Sequence, residues 1–138
     1  MNWMILRKYL VFFAHPLLGW ALCGAIMGIG RAATSLDNAL AIHAIAAPII
    51  FAILTLSYLH WFNYTPPLQT AIVSVAVVVG MDAFVVAPFM EKSYAMFTSL
   101  LGTWIPFVLI FLSTYLTALA STRLGWARAT GNLSAGTP

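Results

Sequence analysis

The sequence predicts an all-α integral membrane protein, a four-helix transmembrane bundle with short loops, and three observations carry that reading. Of 138 residues, 62% are hydrophobic and only 7% are charged, whereas soluble domains carry about 25% charged residues. The mean hydropathy is +0.96. The apolar residues gather into four stretches of about 20, the length that crosses a hydrocarbon core about 30 Å thick at about 1.5 Å per residue. Short polar segments rich in helix breakers separate them.

The first stretch, Tyr9 to Gly30, follows Arg7 and Lys8 and opens "YLVFFAHPLLGWALCGA". A secretory signal begins similarly, but this apolar run continues through Ile29, which is long for a signal core. A bulky Leu22 ahead of Cys23 also argues against a lipoprotein cleavage site, so a permanent helix is expected. The segment "RAATSLDN" supplies Ser35, Asp37 and Asn38 as helix caps before the second stretch, Ala39 to Trp61. The double proline in "FNYTPPLQ" precedes the third, Leu68 to Met90, and the charged turn "EKSY" precedes the fourth, Phe97 to Ser121. Residues 1–121 then form one transmembrane domain, and 122–138, ending in "ATGNLSAGTP", a flexible cytoplasmic tail. Connections this short are expected to make consecutive helices antiparallel neighbours.

Charge sets the expected orientation. Arg7 and Lys8 before the first span and Arg123 and Arg128 after the fourth lie on one side, against Arg31 and Lys92 on the other. The excess of basic residues places both termini in the cytoplasm of a multi-pass protein of the bacterial inner (plasma) membrane. Trp3, Trp61 and Trp126 fall at the same interface, where indoles prefer to sit. The basic residues form no stripe, so nucleic-acid binding is excluded and the expected partners are the lipid bilayer and a second membrane helix surface. The lone Cys23 can make no internal disulfide.

Lipid gives helices no hydrophobic drive to associate, so small residues that allow close approach carry packing information. Gly24 and Gly28, with Ala21 and Ala25, form one such patch; Ala76, Gly80, Ala83 and Ala87 form a narrow ridge on the third helix. Packing within one bundle is the plainer expectation, and contact between copies in a homo-oligomer the sharper one.

Asp82 does not lie on that ridge. It sits in "VVVGMDAFVVAPF", and a carboxylate at the centre of a membrane helix costs about 2.5–3.5 kcal/mol on insertion scales. Something must offset that cost or remove the charge. Arg31 lies roughly 12 Å away in depth and would rather extend to water. His43 is nearer, at a depth difference of roughly 6 Å, and Ser99 and Thr103 head a polar stripe on the fourth helix that continues through Thr114, Thr117 and Ser121. Pro48 should free the carbonyl of Ala44 beside His43, and Pro106 that of Gly102, which suits a small polar cavity open toward the outer face. Pro48 with Thr55 and Pro106 with Ser113 share one spacing, a weak internal echo that membrane prolines also give without duplication.

Asp82, His43, Thr103 and Ser99 are therefore the expected binding residues. The plainer reading has the prolines bending helices and a protonated Asp82 bonding a hydroxyl. His15 and His60, on the first two helices, offer a weaker alternative as haem or metal ligands, without a CxxCH or a second pair to support it. No catalytic motif is present, since the glycines of the first span follow no strand and precede no suitably placed lysine. No cofactor is expected. Two functions fit: a proton- or cation-responsive transporter or channel-like protein acting as an oligomer, or a non-catalytic accessory or assembly subunit of a larger membrane complex.

Overall fold

The computed structural model describes residues 2–128. The Asn2 side chain accepts from the amide of Met4 at 3.2 Å and starts α1, Trp3–Ala33. Ser35, one of the expected caps, accepts from the amide of Asn38 and starts α2, Leu36–Trp61. Pro67 opens α3, Pro67–Met81, in the first turn, where its missing N–H costs no helical bond. From Asp82 the helix widens into a π-helical segment, Asp82–Met90, that contains Pro88. A proline ring presses on the carbonyl four residues earlier, and a wider turn relieves the clash. A short 3₁₀ turn, Ala95–Thr98, follows. A second π segment, Leu100–Trp104, runs directly into α4, Ile105–Arg123, with Pro106 in the first turn. Wide turns thus sit beside both prolines.

Four helical runs, Trp3–Ala33, Leu36–Trp61, Pro67–Met90 and Leu100–Arg123, are long and apolar enough to cross a membrane. This is an all-α membrane bundle. The first run extends beyond the expected 9–30 because hydropathy marks only the apolar part, while helical bonding continues through Arg7 and Lys8. The fourth begins three residues later than expected, because Ser99 is extended and caps the amide of Gly102 at 2.9 Å.

Around the bundle, α1 packs on α2, α2 on α4, and α4 on α3, while the α3–α1 edge is the loosest. Consecutive α2 and α3 therefore face each other across the diagonal, contrary to the expectation that short connections make neighbours. The reason lies in the connection. Asn63 turns the chain at φ +47, Thr65 is buried, and Thr65 and Tyr64 both bond to the Tyr58 hydroxyl at 3.0 Å, carrying the chain over the end of the bundle.

The interior is small and polar, and the exterior is apolar. Ala39, Ala47, Ala71, Ala87 and Ala118 are fully buried at helix crossings, and Thr55, Thr70, Ser74, Thr103, Thr114 and Ser121 are also inside. Leu, Ile and Phe side chains such as Leu18, Ile45, Ile53, Phe84 and Leu116 cover the outside, as lipid contact requires. The close approach on α1 is made by Gly19, where a Cβ would lie 2.6 Å from the ring of Phe51, and by Gly30 against Ala39. Gly24, Gly28 and Gly80 have open space instead. The expected packing patches therefore lie largely outside the bundle's own contacts, because small-residue spacing does not say which face meets a neighbour. Only Ala87 of the α3 ridge is buried.

After α4 the chain turns at Gly125, φ +74, and folds back. The amides of Trp126 and Ala127 donate to the carbonyl of Ser121, the Arg128 amide donates to Leu59, and the Arg128 guanidinium to Trp61. Residues 124–128, expected to belong to a flexible tail, satisfy carbonyls at the ends of α4 and α2 that the helices leave free. The remainder of that expected tail, 129–138, lies outside the described residues.

Candidate functional site

Along α3 the buried positions Ala71, Ser74 and Val78 recur at helical spacing, and Asp82, four residues beyond Val78, continues the stripe inward. It stands where the α-helical part of this span gives way to the π segment. Its carboxyl is half-buried, and Oδ1 accepts a hydrogen bond from the indole Nε1 of Trp20 at 2.9 Å. Trp20 comes from the middle of α1, across the loosest edge of the bundle. The indole donates one hydrogen and carries no charge. Among the described residues no cation comes within ion-pair distance of Asp82, and Arg31 pairs instead with Glu91 at the surface.

The expected partners are placed elsewhere. His43 is partly buried, its Nδ1 is enclosed without a hydrogen-bond partner, and it forms no ion pair with Asp82. Thr103 donates to the carbonyl of Met96 at 2.6 Å, and Ser99 is engaged as the cap of Gly102, so both hydroxyls serve their own backbone. The Ser113 hydroxyl donates to the carbonyl of Pro48 itself and so ties α4 to α2. Further along α4, the hydroxyl of Thr114 is buried without a partner.

His15 and His60 do not meet either. The His15 ring bonds through Nδ1 to the carbonyl of Val11 at 2.8 Å and stands edge-on to Tyr58 and Phe62. His60 is exposed, edge-on to Trp61, and lines an open groove of about 530 Å³ with Ser121 and Trp126. Tyr58 and His60 are two residues apart on α2, hence roughly 200° apart around it, so the two histidines belong to different faces. Among the described residues no group of three or more His, Cys, Asp or Glu side chains is placed to hold a metal.

Between Asp82 and the end that carries Tyr58 lies an apolar layer. Cys23, Ala47, Phe51, Val78, Phe107 and Ile110 pack together there, with Trp20 and Val79 against them. The interior is thereby divided: an acid with one neutral donor on one side, and the hydroxyls of Tyr58, Thr65 and Thr70 on the other. Chemically, the first compartment can take up or release a proton or a small cation at the carboxyl, since no fixed cation competes for it.

Sequence reasoning missed two residues here. Trp20 had a signal, for it is a tryptophan in mid-span while Trp3, Trp61 and Trp126 are expected near an interface. Pro88, six residues after Asp82, signalled the irregular turn that begins at the acid.

The fold and site together define a four-helix membrane bundle with a carboxyl inside one candidate span and an indole as its donor. The chain matches no protein-family model, no curated protein and no solved structure.

Proposed function

We propose that the protein is a proton- or cation-responsive transporter or channel-like protein of the bacterial inner membrane, with both termini cytoplasmic, in which Asp82 is the responsive group. The observation that carries this reading is the setting of Asp82: half-buried within a span, bonded to a neutral indole, and without a cation in reach. A purely structural acid would be expected to sit in an ion pair or among several donors, because an isolated buried charge is expensive. One neutral hydrogen bond leaves the carboxyl free to change its charge. His43, enclosed and unpaired at Nδ1, is a second polar group in the same half of the bundle.

The test uses purified protein in liposomes with a trapped pH dye and a potassium diffusion potential. Wild type should take up protons faster than protein-free vesicles, and Asp82→Asn should lose at least about ten-fold of that rate while keeping its fold. Equal rates for wild type and Asp82→Asn would overturn the proposal.

A second reading, an accessory subunit that packs on a partner helix, is favoured by one observation. Gly24, Gly28 and Gly80 leave room for a close neighbour that the bundle does not supply. A stable hetero-complex recovered in mild detergent, with no proton uptake by the isolated protein, would favour it; a homo-oligomer would fit the first reading.

A further inference from the structure

A cavity of about 10 Å³ lies between α1, α2 and α3 on the far side of the apolar layer from Asp82. Its lining includes His15, Thr55, Tyr58, Thr70 and Ser74, with Phe51 as its lid toward the acid. That volume is about one water molecule, and a water requires polar neighbours to stay in such a space. Hydrogen-bond direction says what those neighbours offer. The Thr70 hydroxyl donates to the carbonyl of Pro66 at 3.0 Å, so it must accept from Thr65 at 2.7 Å, and Thr65 in turn accepts from Tyr58 at 3.0 Å. All three hydroxyl hydrogens are committed by that one carbonyl, which can only accept. Tyr58 and Thr70 can therefore present only lone pairs to the cavity. His15 follows the same logic: Val11 offers a carbonyl, so Nδ1 carries the hydrogen, and Nε2 of the neutral ring is an acceptor.

We propose that this cavity binds a single water molecule as a hydrogen-bond donor, giving one hydrogen to His15 Nε2 and the other to the hydroxyl oxygen of Tyr58 or Thr70. The Thr55 and Ser74 hydroxyls donate to its oxygen. Through this water His15 becomes the proton-exchanging group of the second compartment, a counterpart to Asp82 across the Phe51 layer. In the exchange a proton arriving at the water is passed on to Nε2 as the water returns to its neutral form, and release reverses the step. Only O–H and N–H bonds are broken and formed, and no redox partner is needed. The titratable side chain packed on the His15 ring is Tyr58, with Tyr64 on the far side of Tyr58 and Lys8 over the Tyr64 ring at 5.4 Å. The exchange role rests on the proton-responsive reading of Asp82, while the water site does not.

The experiment has two arms. In the first, ¹⁵N solid-state NMR is recorded in lipid on protein with His43→Gln and His60→Gln, so that His15 is the sole imidazole. The expected spectrum shows a neutral ring protonated at Nδ1, with a water-proton correlation to Nε2. Ser74→Leu, which fills the cavity, should remove that correlation, and Thr55→Val, which keeps the volume and removes a donor, should weaken it. No correlation in the parent, or an unchanged one in both variants, overturns the water site. In the second arm, proton uptake into liposomes is compared for His15→Phe and Asp82→Asn. Loss in both, each at least about ten-fold, supports the exchange role. Loss in Asp82→Asn alone overturns it and leaves the Asp82 reading standing. Loss in neither overturns the Asp82 reading and the exchange role together, with the water site still decided by the first arm.

Discussion

At the scale of the residue, the central contact is the hydrogen bond from Trp20 to Asp82, which crosses the loosest edge of the bundle. A hydrogen bond to a charged group is worth about 1.5–3 kcal/mol in proteins. Trp20→Phe removes the donor and keeps most of the ring, so thermal stability in detergent should fall by that order when Asp82 is ionised, and hardly at all in an Asp82→Leu background, which has no acceptor for the indole. Equal losses in the two backgrounds would mean that Trp20 acts through packing alone. The acid itself was legible in the sequence, because a lone aspartate in an apolar run has no other explanation than a special environment. Its partner was not. Charged groups and hydroxyls at matching depth are the partners a sequence suggests, and depth along a helix says nothing about which neighbour lies across the weakest edge. The expected His43 contact failed on that count, and Ser99 and Thr103 failed because free hydroxyls near a proline-broken helix end bond first to their own backbone.

At the scale of the element, four spans with breaker segments between them were legible, with bounds within three residues except at the start of the first, where the helix begins six residues earlier than expected. The π segments were not, because they follow from proline clashes inside runs whose composition stays uniformly apolar. The buried face of α1 is a good case of what could be read and was not. Phe12, Pro16, Gly19 and Cys23 recur at steps of four, three and four, the seam of a packed bundle, whereas the more familiar Gly24 and Gly28 pair lies outside it. Gly19→Ala would put a methyl group 2.6 Å from the Phe51 ring, and overpacking of this kind typically costs about 1–3 kcal/mol. Gly24→Ala meets nothing and should be neutral or slightly stabilising. Melting temperatures of the two variants in one detergent check the ordering, and the reverse ordering would place the helix 1 seam on the other face.

At the scale of the whole molecule, the proposed orientation rests on Arg7, Lys8, Arg123 and Arg128. In a Cys23→Ser background, single cysteines at Ser35 and Ser134 should be labelled from opposite sides of intact cells by an impermeant reagent, with Ser35 reached from outside. Labelling of Ser134 alone would invert the topology and turn the Asp82 compartment toward the cytoplasm. The diagonal placement of α2 and α3 could not be read from loop length. It depends on Tyr58 and Thr65 holding the connection across the bundle end, a tertiary contact that sequence spacing does not encode. The proposed function turns on whether Asp82 changes its protonation in the assembled protein. The chain carries only three acidic side chains, and Asp37 and Glu91 lie at the exposed end of the bundle. The decisive measurement is therefore infrared difference spectroscopy of the protein in lipid, in an Asp37→Asn, Glu91→Gln background, as the medium is stepped between acid and alkaline. One protonated-carboxyl band should appear and disappear reversibly, be absent in Asp82→Asn and be displaced in Trp20→Phe. A band that stays fixed across the whole range would contradict the proposed function and make Asp82 a structural hydrogen-bonding group.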